Sequence, residues 1–161
     1  MITHTVNKYS LLHPSITPEY FNVTRSSEPN VKSLYISHDD NHDPYVVSET
    51  PDNILQLVFQ GKEVKYLNPN PYYHVCFAVN QQPNVTHPNF IATHLVRLAY
   101  LTNYGIVATD AMYGDVLIFG SYNFTKKIID NKSHSVPYEI VEQVLRINEI
   151  RSKYKKTLSQ I

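Results

Sequence analysis

The sequence predicts an α+β fold: a small, mostly antiparallel sheet with two helices packed on it and a further C-terminal helix. Three observations predict it. Short β-rich runs separated by turn residues recur from Val31 onward. Two segments, residues 51–60 and 88–103, carry apolar residues at helical spacing between a leading proline and a trailing glycine. The most apolar run of the chain, residues 116–119, follows directly on the turn Tyr113-Gly114-Asp115. The expected organisation is an irregular arm over 1–30, an α+β core over 31–135 and an amphipathic helix over 136–161.

Taken in order, the arm is interrupted by Pro14, Pro18 and Pro29, with Leu11-Leu12 and Tyr20-Phe21 available to pin it to the domain. Residues 31–37 read as a first strand through Val31, Leu34 and Ile36. After the polar loop HDDNHDP, residues 45–47 read as a short second strand. Thr50-Pro51-Asp52 starts a helix. The threonine accepts from free amides, the proline suits the first helical position, and the aspartate suits the positive end of the dipole. Ile54, Leu55, Val58 and Phe59 form its stripe and Gly61 ends it. A strand over 63–67 leads to a turn, Asn68-Pro69-Asn70-Pro71.

Residues 72–79 alternate, with Tyr73, Val75, Phe77 and Val79 on one side and Tyr72, His74, Cys76 and Ala78 on the other. Both sets are largely apolar, which predicts a central strand. Ile91, Leu95, Leu98 and Ala99 then face the core from the second helix, which Gly105 closes. Residues 106–109 and 116–119 are the last expected strands. Pro137 opens the final helix, whose second half is basic.

Composition excludes several roles. The chain has 161 residues, the size of one domain, and its 14 Lys and Arg balance 14 Asp and Glu. No global field draws it to nucleic acid or anionic lipid, and a DNA mimic would be strongly acidic. The single cysteine, Cys76, forms no intrachain disulfide. No apolar run approaches the roughly 20 residues of a membrane span, and the first residues lack a signal-peptide pattern. The expectation is a cytoplasmic protein, in host cytoplasm if viral. Abundant Asn, Ile, Tyr, Lys and Phe with few Gly and Arg fit an AT-rich bacterial or viral genome.

Four constellations are candidates for chemistry. His38, Asp39, His42 and Asp43 place imidazoles and carboxylates close enough in sequence for a divalent metal, although a solvated loop uses the same residues. His74 and Cys76 share a strand face, but their backbones stand about 7 Å apart, long for an activated thiolate. A buried structural cysteine is the favoured reading. Asp110, Tyr113 and Asp115 surround a glycine turn and can line a small pocket. With four glycines and no phosphate-binding loop, a nucleotide would have to be held by side chains such as Arg97, Lys126 and Lys127. Finally, Ile140, Val141, Val144, Leu145 and Ile147 give the C-terminal helix an apolar surface wider than one stripe. This predicts a homodimer through that helix. No cofactor is expected.

Several segments together resemble a small phage and plasmid domain family of unknown function, DUF3846. They are Gln56-Leu57-Val58-Phe59-Gln60-Gly61, Val79-Asn80-Gln81-Gln82, Pro88-Asn89-Phe90-Ile91-Ala92-Thr93 and Gly114-Asp115-Val116-Leu117-Ile118-Phe119-Gly120. The resemblance spans about 31–121. Gln60 stands where a second glycine is usual and Gln81 where an acidic residue is usual. It implies a phage-like α/β domain and no catalytic residues. With no complete catalytic constellation, the expected function is a non-enzymatic viral or mobile-element binding protein. It would sequester or block a host component, a host protein or a small nucleotide signal, as in counter-defence. The alternative is a metal-dependent nucleotide or phosphoester hydrolase.

Overall fold

A computed structural model describes residues 29–39, 41–78, 87–123 and 125–159. The expected arm therefore lies almost wholly outside the described residues, as do Val79, Asn80, Gln81 and Gln82. In chain order the elements are β1 (Val31–Ile36), β2 (Tyr45–Glu49), α1 (Pro51–Phe59), β3 (Val64–Asn70), β4 (Tyr73–Ala78), α2 (Phe90–Tyr104), β5 (Val116–Asn123), β6 (Ile128–His134) and α3 (Tyr138–Ser159). The fold is α+β, with every strand pair antiparallel.

The sheet order is β2-β1-β5-β4-β3, and β6 also pairs with β5. β5 is central because its run of Val116 to Phe119 is apolar on both faces, and all four side chains are fully buried. One long edge of β5 is shared end to end: β1 takes Val116, Leu117 and Ile118, and β6 takes Gly120, Tyr122 and Asn123. Where they meet, the Lys32 amide donates to Ser135 Oγ at 3.0 Å and the Val136 amide donates to the Lys32 carbonyl at 2.8 Å. This crossing runs so close over Gly120 that a Cβ there would overlap the Ser135 carbonyl.

Alternation divides the core into two. Leu34, Val75, Val116 and Ile118 pack with Ile91 and Leu95 of α2 and with Val141 and Val144 of α3. On the opposite face Val47, Cys76, Leu117 and Phe119 pack with Ile54 and Phe59 of α1. Helix ends follow from local chemistry. Thr50 Oγ1 accepts from the Asn53 amide at 3.4 Å, and Pro51 opens α1. Asn89 caps α2 by accepting from the Ala92 amide at 3.2 Å, while its Nδ2 donates to the carbonyls of Ile36 and Gly114. Gly105 ends α2 in the left-handed region.

Several expectations are corrected, among them Leu98, which is exposed rather than facing the core. α3 is part of the core: Ile140, Val141, Val144 and Ile147 are buried and Leu145 is half-buried against the same cluster, so the surface assigned to a homodimer is spent within the chain. The apolar surface is wide because α3 meets both the sheet and α2. The segment from Asn68 to Asn70 continues β3 through a register shift rather than forming a turn, and an edge strand tolerates Pro69 because it has no second neighbour to donate to. Residues 106–109 form no strand, leaving Ile106 and Val107 exposed. β6 was not foreseen. Gln60, one residue before Gly61, is the left-handed cap of α1, at φ 51°.

Candidate functional site

The nine residues of α1 cover only part of their face of the sheet. Beyond the helix, β3, β4, β5 and β6 border an open cleft of two adjoining lobes, of about 390 and 450 Å³, both lined by Tyr66 and Ser133. Each volume is in the range of small-molecule sites, roughly 300–1,000 Å³.

Strand alternation aims the polar groups here. Tyr66 pairs with Cys76 across β3 and β4, and so shares its face with His74. Ser121 lies two residues beyond Phe119 on the same face of β5. β6 brings Asp130, Lys132, Ser133 and His134 to the rim. His74 forms the floor. Only 8% of it is exposed, its ring stacks on Phe119 at 5.6 Å, and the Tyr66 ring meets it edge-on at 5.7 Å. Its Nδ1 lies 2.8 Å from Ser121 Oγ and its Nε2 lies 3.2 Å from Ser133 Oγ.

Burial pushes His74 down to about 4, and His134 nearby adds to the shift, so the ring is neutral near pH 7. A neutral imidazole has one N–H and one lone pair. It therefore donates to one serine, whose own O–H is free to donate, and accepts from the other, whose lone pairs are free to accept. Either tautomer presents one donor and one acceptor to the cleft. Beside it, Asp130 Oδ1 contacts His134 Nε2 at 2.6 Å and accepts from the Lys132 amide at 3.0 Å, while Oδ2 accepts from Asn123 Nδ2 at 3.3 Å. The His134 contact above all holds the Asp130 carboxyl down to about 2. Cys76 lies beneath as a fully buried thiol whose pKa burial raises, as expected of a structural cysteine.

The nominated residues fall elsewhere and do not converge. His38 Nδ1 reaches Asp115 Oδ1 at 2.7 Å, His42 pairs with Asp39 at 3.1 Å, and Asp43 accepts from Asn148 of α3 at 3.1 Å. Among the described residues no group of three or more His, Cys, Asp or Glu side chains is placed to hold a metal. Within the loop Asp39 also accepts from the Asn41 amide at 2.9 Å, a local turn contact. Arg97 donates to the carbonyls of Thr109 and Asp110, holding the loop after α2, and Asp110 and Tyr113 are exposed. Asp115 precedes β5, whereas Lys126 and Lys127 occupy the β5–β6 turn at its far end, roughly 25 Å of strand away. These six residues make no single ligand site.

The cleft residues missed by sequence reasoning are Tyr66, Ser121, Asp130, Ser133 and His134. The only signal was His74 itself, a polar residue in a strand apolar on both faces, which required partners from elsewhere. No described helix is long and apolar enough to cross a membrane. No family model matches the chain, and no curated protein or solved structure matches it significantly.

Proposed function

We propose that this chain is a non-enzymatic binding protein of viral or mobile-element origin that sequesters a small polar molecule of its host in the cleft floored by His74. The observation that carries this reading is the state of His74. A general base works best with a pKa near the operating pH, and His74 lies near 4 with both ring nitrogens engaged by serines. Such a group fixes donors and acceptors for recognition and is a poor proton acceptor at neutral pH.

Of the two targets expected from the sequence, the small molecule is favoured over a host protein, because the polar side chains gather in a concave site. The viral origin rests on the DUF3846-like segments and on the AT-rich residue usage, and a counter-defence role follows from sequestration. The metal-dependent hydrolase loses support because His38, His42 and Asp43 each engage a different partner. The test is purification from host lysate, followed by mass spectrometry of small molecules released on denaturation and of co-purifying proteins. A released molecule that is lost from a Tyr66→Ala variant supports the reading. A stoichiometric host protein with no released molecule overturns it.

A further inference from the structure

The two lobes of the cleft differ in chemistry, and the difference names a class of ligand. The lobe over His74 is polar, edged by Asn68, Asp130 and the two serines. The other adds an apolar set, Pro29, Val31, Pro51 and Leu55, to Asp52, Lys132, Ser133 and His134. Tyr66 stands between them, 53% exposed, with ring surface available to a ligand.

The charges are as informative. Among the described lining residues Lys132 is the single lysine or arginine, and two carboxylates, Asp52 and Asp130, oppose it. The start of α1 does not add an anion site. Thr50 caps it, and the buried Glu49 carboxylate already accepts from the Thr50 amide at 2.9 Å. His134 also lines the cleft but is already engaged by Asp130 at 2.6 Å, so a polyphosphate would find no surplus of positive charge to hold it.

We infer that the cleft takes an uncharged ribonucleoside, with its base in the apolar lobe against Tyr66 and its ribose hydroxyls in the polar lobe. Aromatic side chains stack on bases with little regard to sequence, and a carboxylate is a common acceptor for ribose hydroxyls. Asp130 fits that role. It stays ionised, and Oδ2 uses one of its lone-pair sites on Asn123, leaving capacity for a hydroxyl. The donor and acceptor serines at opposite ends of the His74 ring suit a hydroxylated ring above it. The inference rests on the reading of the chain as a small-ligand binder and narrows a nucleotide signal to its uncharged part.

The test is isothermal titration calorimetry of the full chain with adenosine, guanosine, cytidine and uridine and with the 5′-triphosphate of each. At least one nucleoside is expected to bind, and its triphosphate to bind at least tenfold more weakly. Tyr66→Ala should weaken the nucleoside at least tenfold with only a small fall in Tm, because about half of the residue is exposed. Asp52→Lys should narrow the gap to the triphosphate. A triphosphate that binds as tightly as its nucleoside overturns the inference. So does the absence of nucleoside binding when the lysate-purified protein releases another small molecule, an outcome that leaves the ligand-binding reading standing. If no nucleoside binds and nothing is released, both fail.

Discussion

The two faces of the sheet are built from the same strands and put to different uses. On one, α2 and α3 lie over β1, β4 and β5, and the contact is dry and apolar from Leu34 to Ile147. On the other, a nine-residue helix covers Val47, Leu117 and Phe119 and then stops, so that the alternate residues of β4 and β5 become His74 and Ser121 rather than further aliphatics. The lesson is that coverage decides the chemistry of a strand face. Where a helix lies over it the alternate positions are apolar. Where none does, the pattern supports a polar cleft.

The largest expected effect tests that contrast directly. Ile118 is fully buried on the dry face, and Ile118→Ala should cost about 2–5 kcal/mol. Ser133→Ala, on the cleft rim, removes one hydroxyl contact to His74 and should cost about 1 kcal/mol. Urea denaturation of both variants measures the difference. Equal losses would mean that the cleft residues are structural core. Phe77, which alternation also placed in the core, is only partly buried, so Phe77→Ala should cost less than the roughly 3–5 kcal/mol of a fully enclosed phenylalanine.

Acid should act on the cleft face first. His74 has a folded pKa of about 4 against an ordinary value of 6.5, so the unfolded chain takes up the proton more readily. The stability His74 confers is complete above pH 6.5 and is lost as pH falls through 4. At about 1.4 kcal/mol per pKa unit, the full loss is on the order of 3 kcal/mol. Asp130, also depressed, acts in the same direction but lower, between 3.8 and 2. Tm measured from pH 7 to 4 should fall in the wild type, and the slope should flatten in His74→Gln. An unchanged slope would show that His74 is not the group responsible.

The legible parts of this fold are those encoded locally. The Thr50-Pro51-Asp52 start of α1, the Gly105 end of α2 and the two-sided apolar strand β4 appear in the structure with small changes of boundary, and β5 begins at Val116 as expected but runs on past Phe119 to Asn123. β6 was illegible because Ile128-Ile129 is followed by Asp130-Asn131-Lys132-Ser133, which has no alternating period. The same polarity that hides the strand supplies the cleft rim. The cleft was illegible for a second reason: His74 finds its serines 47 and 59 residues away, a pairing that only the sheet topology creates. α3 was misread because a surface apolar over a wide arc suits a dimer and a two-sided intrachain packing equally well.

Gly120 joins the two faces at the corner where β1 gives way to β6. Gly120→Ala would drive a methyl into the Ser135 backbone, and the chain there cannot swing aside as a flexible side chain would. The expected cost is about 1–3 kcal/mol. Hydrogen exchange should show where it is felt. Amides of β6, and that of Lys32 which donates to Ser135, should lose protection while those of β2 keep theirs, so that the cleft loosens before the helix-covered face. Uniform loss across the sheet would break this division.

The smallest effect concerns what stops α1, and hence what leaves the cleft open. Gln60 occupies the left-handed region at φ 51° while its amide still donates to the Gln56 carbonyl, and Gly61 follows at φ 80°. A side chain in that region costs about 1–2 kcal/mol relative to glycine, partly offset because glycine loses more entropy on folding, roughly 0.5–1 kcal/mol. Gln60→Gly should therefore stabilise the protein by about 0.5–1 kcal/mol. Gln60→Val, with a branched side chain in the same conformation, should destabilise it. Because the helix still ends at the same residue in Gln60→Gly, the cleft should be unchanged, and ligand affinity should match that of the wild type. A loss of affinity in the stabilised variant would show that Gln60 serves the site and not only the helix end.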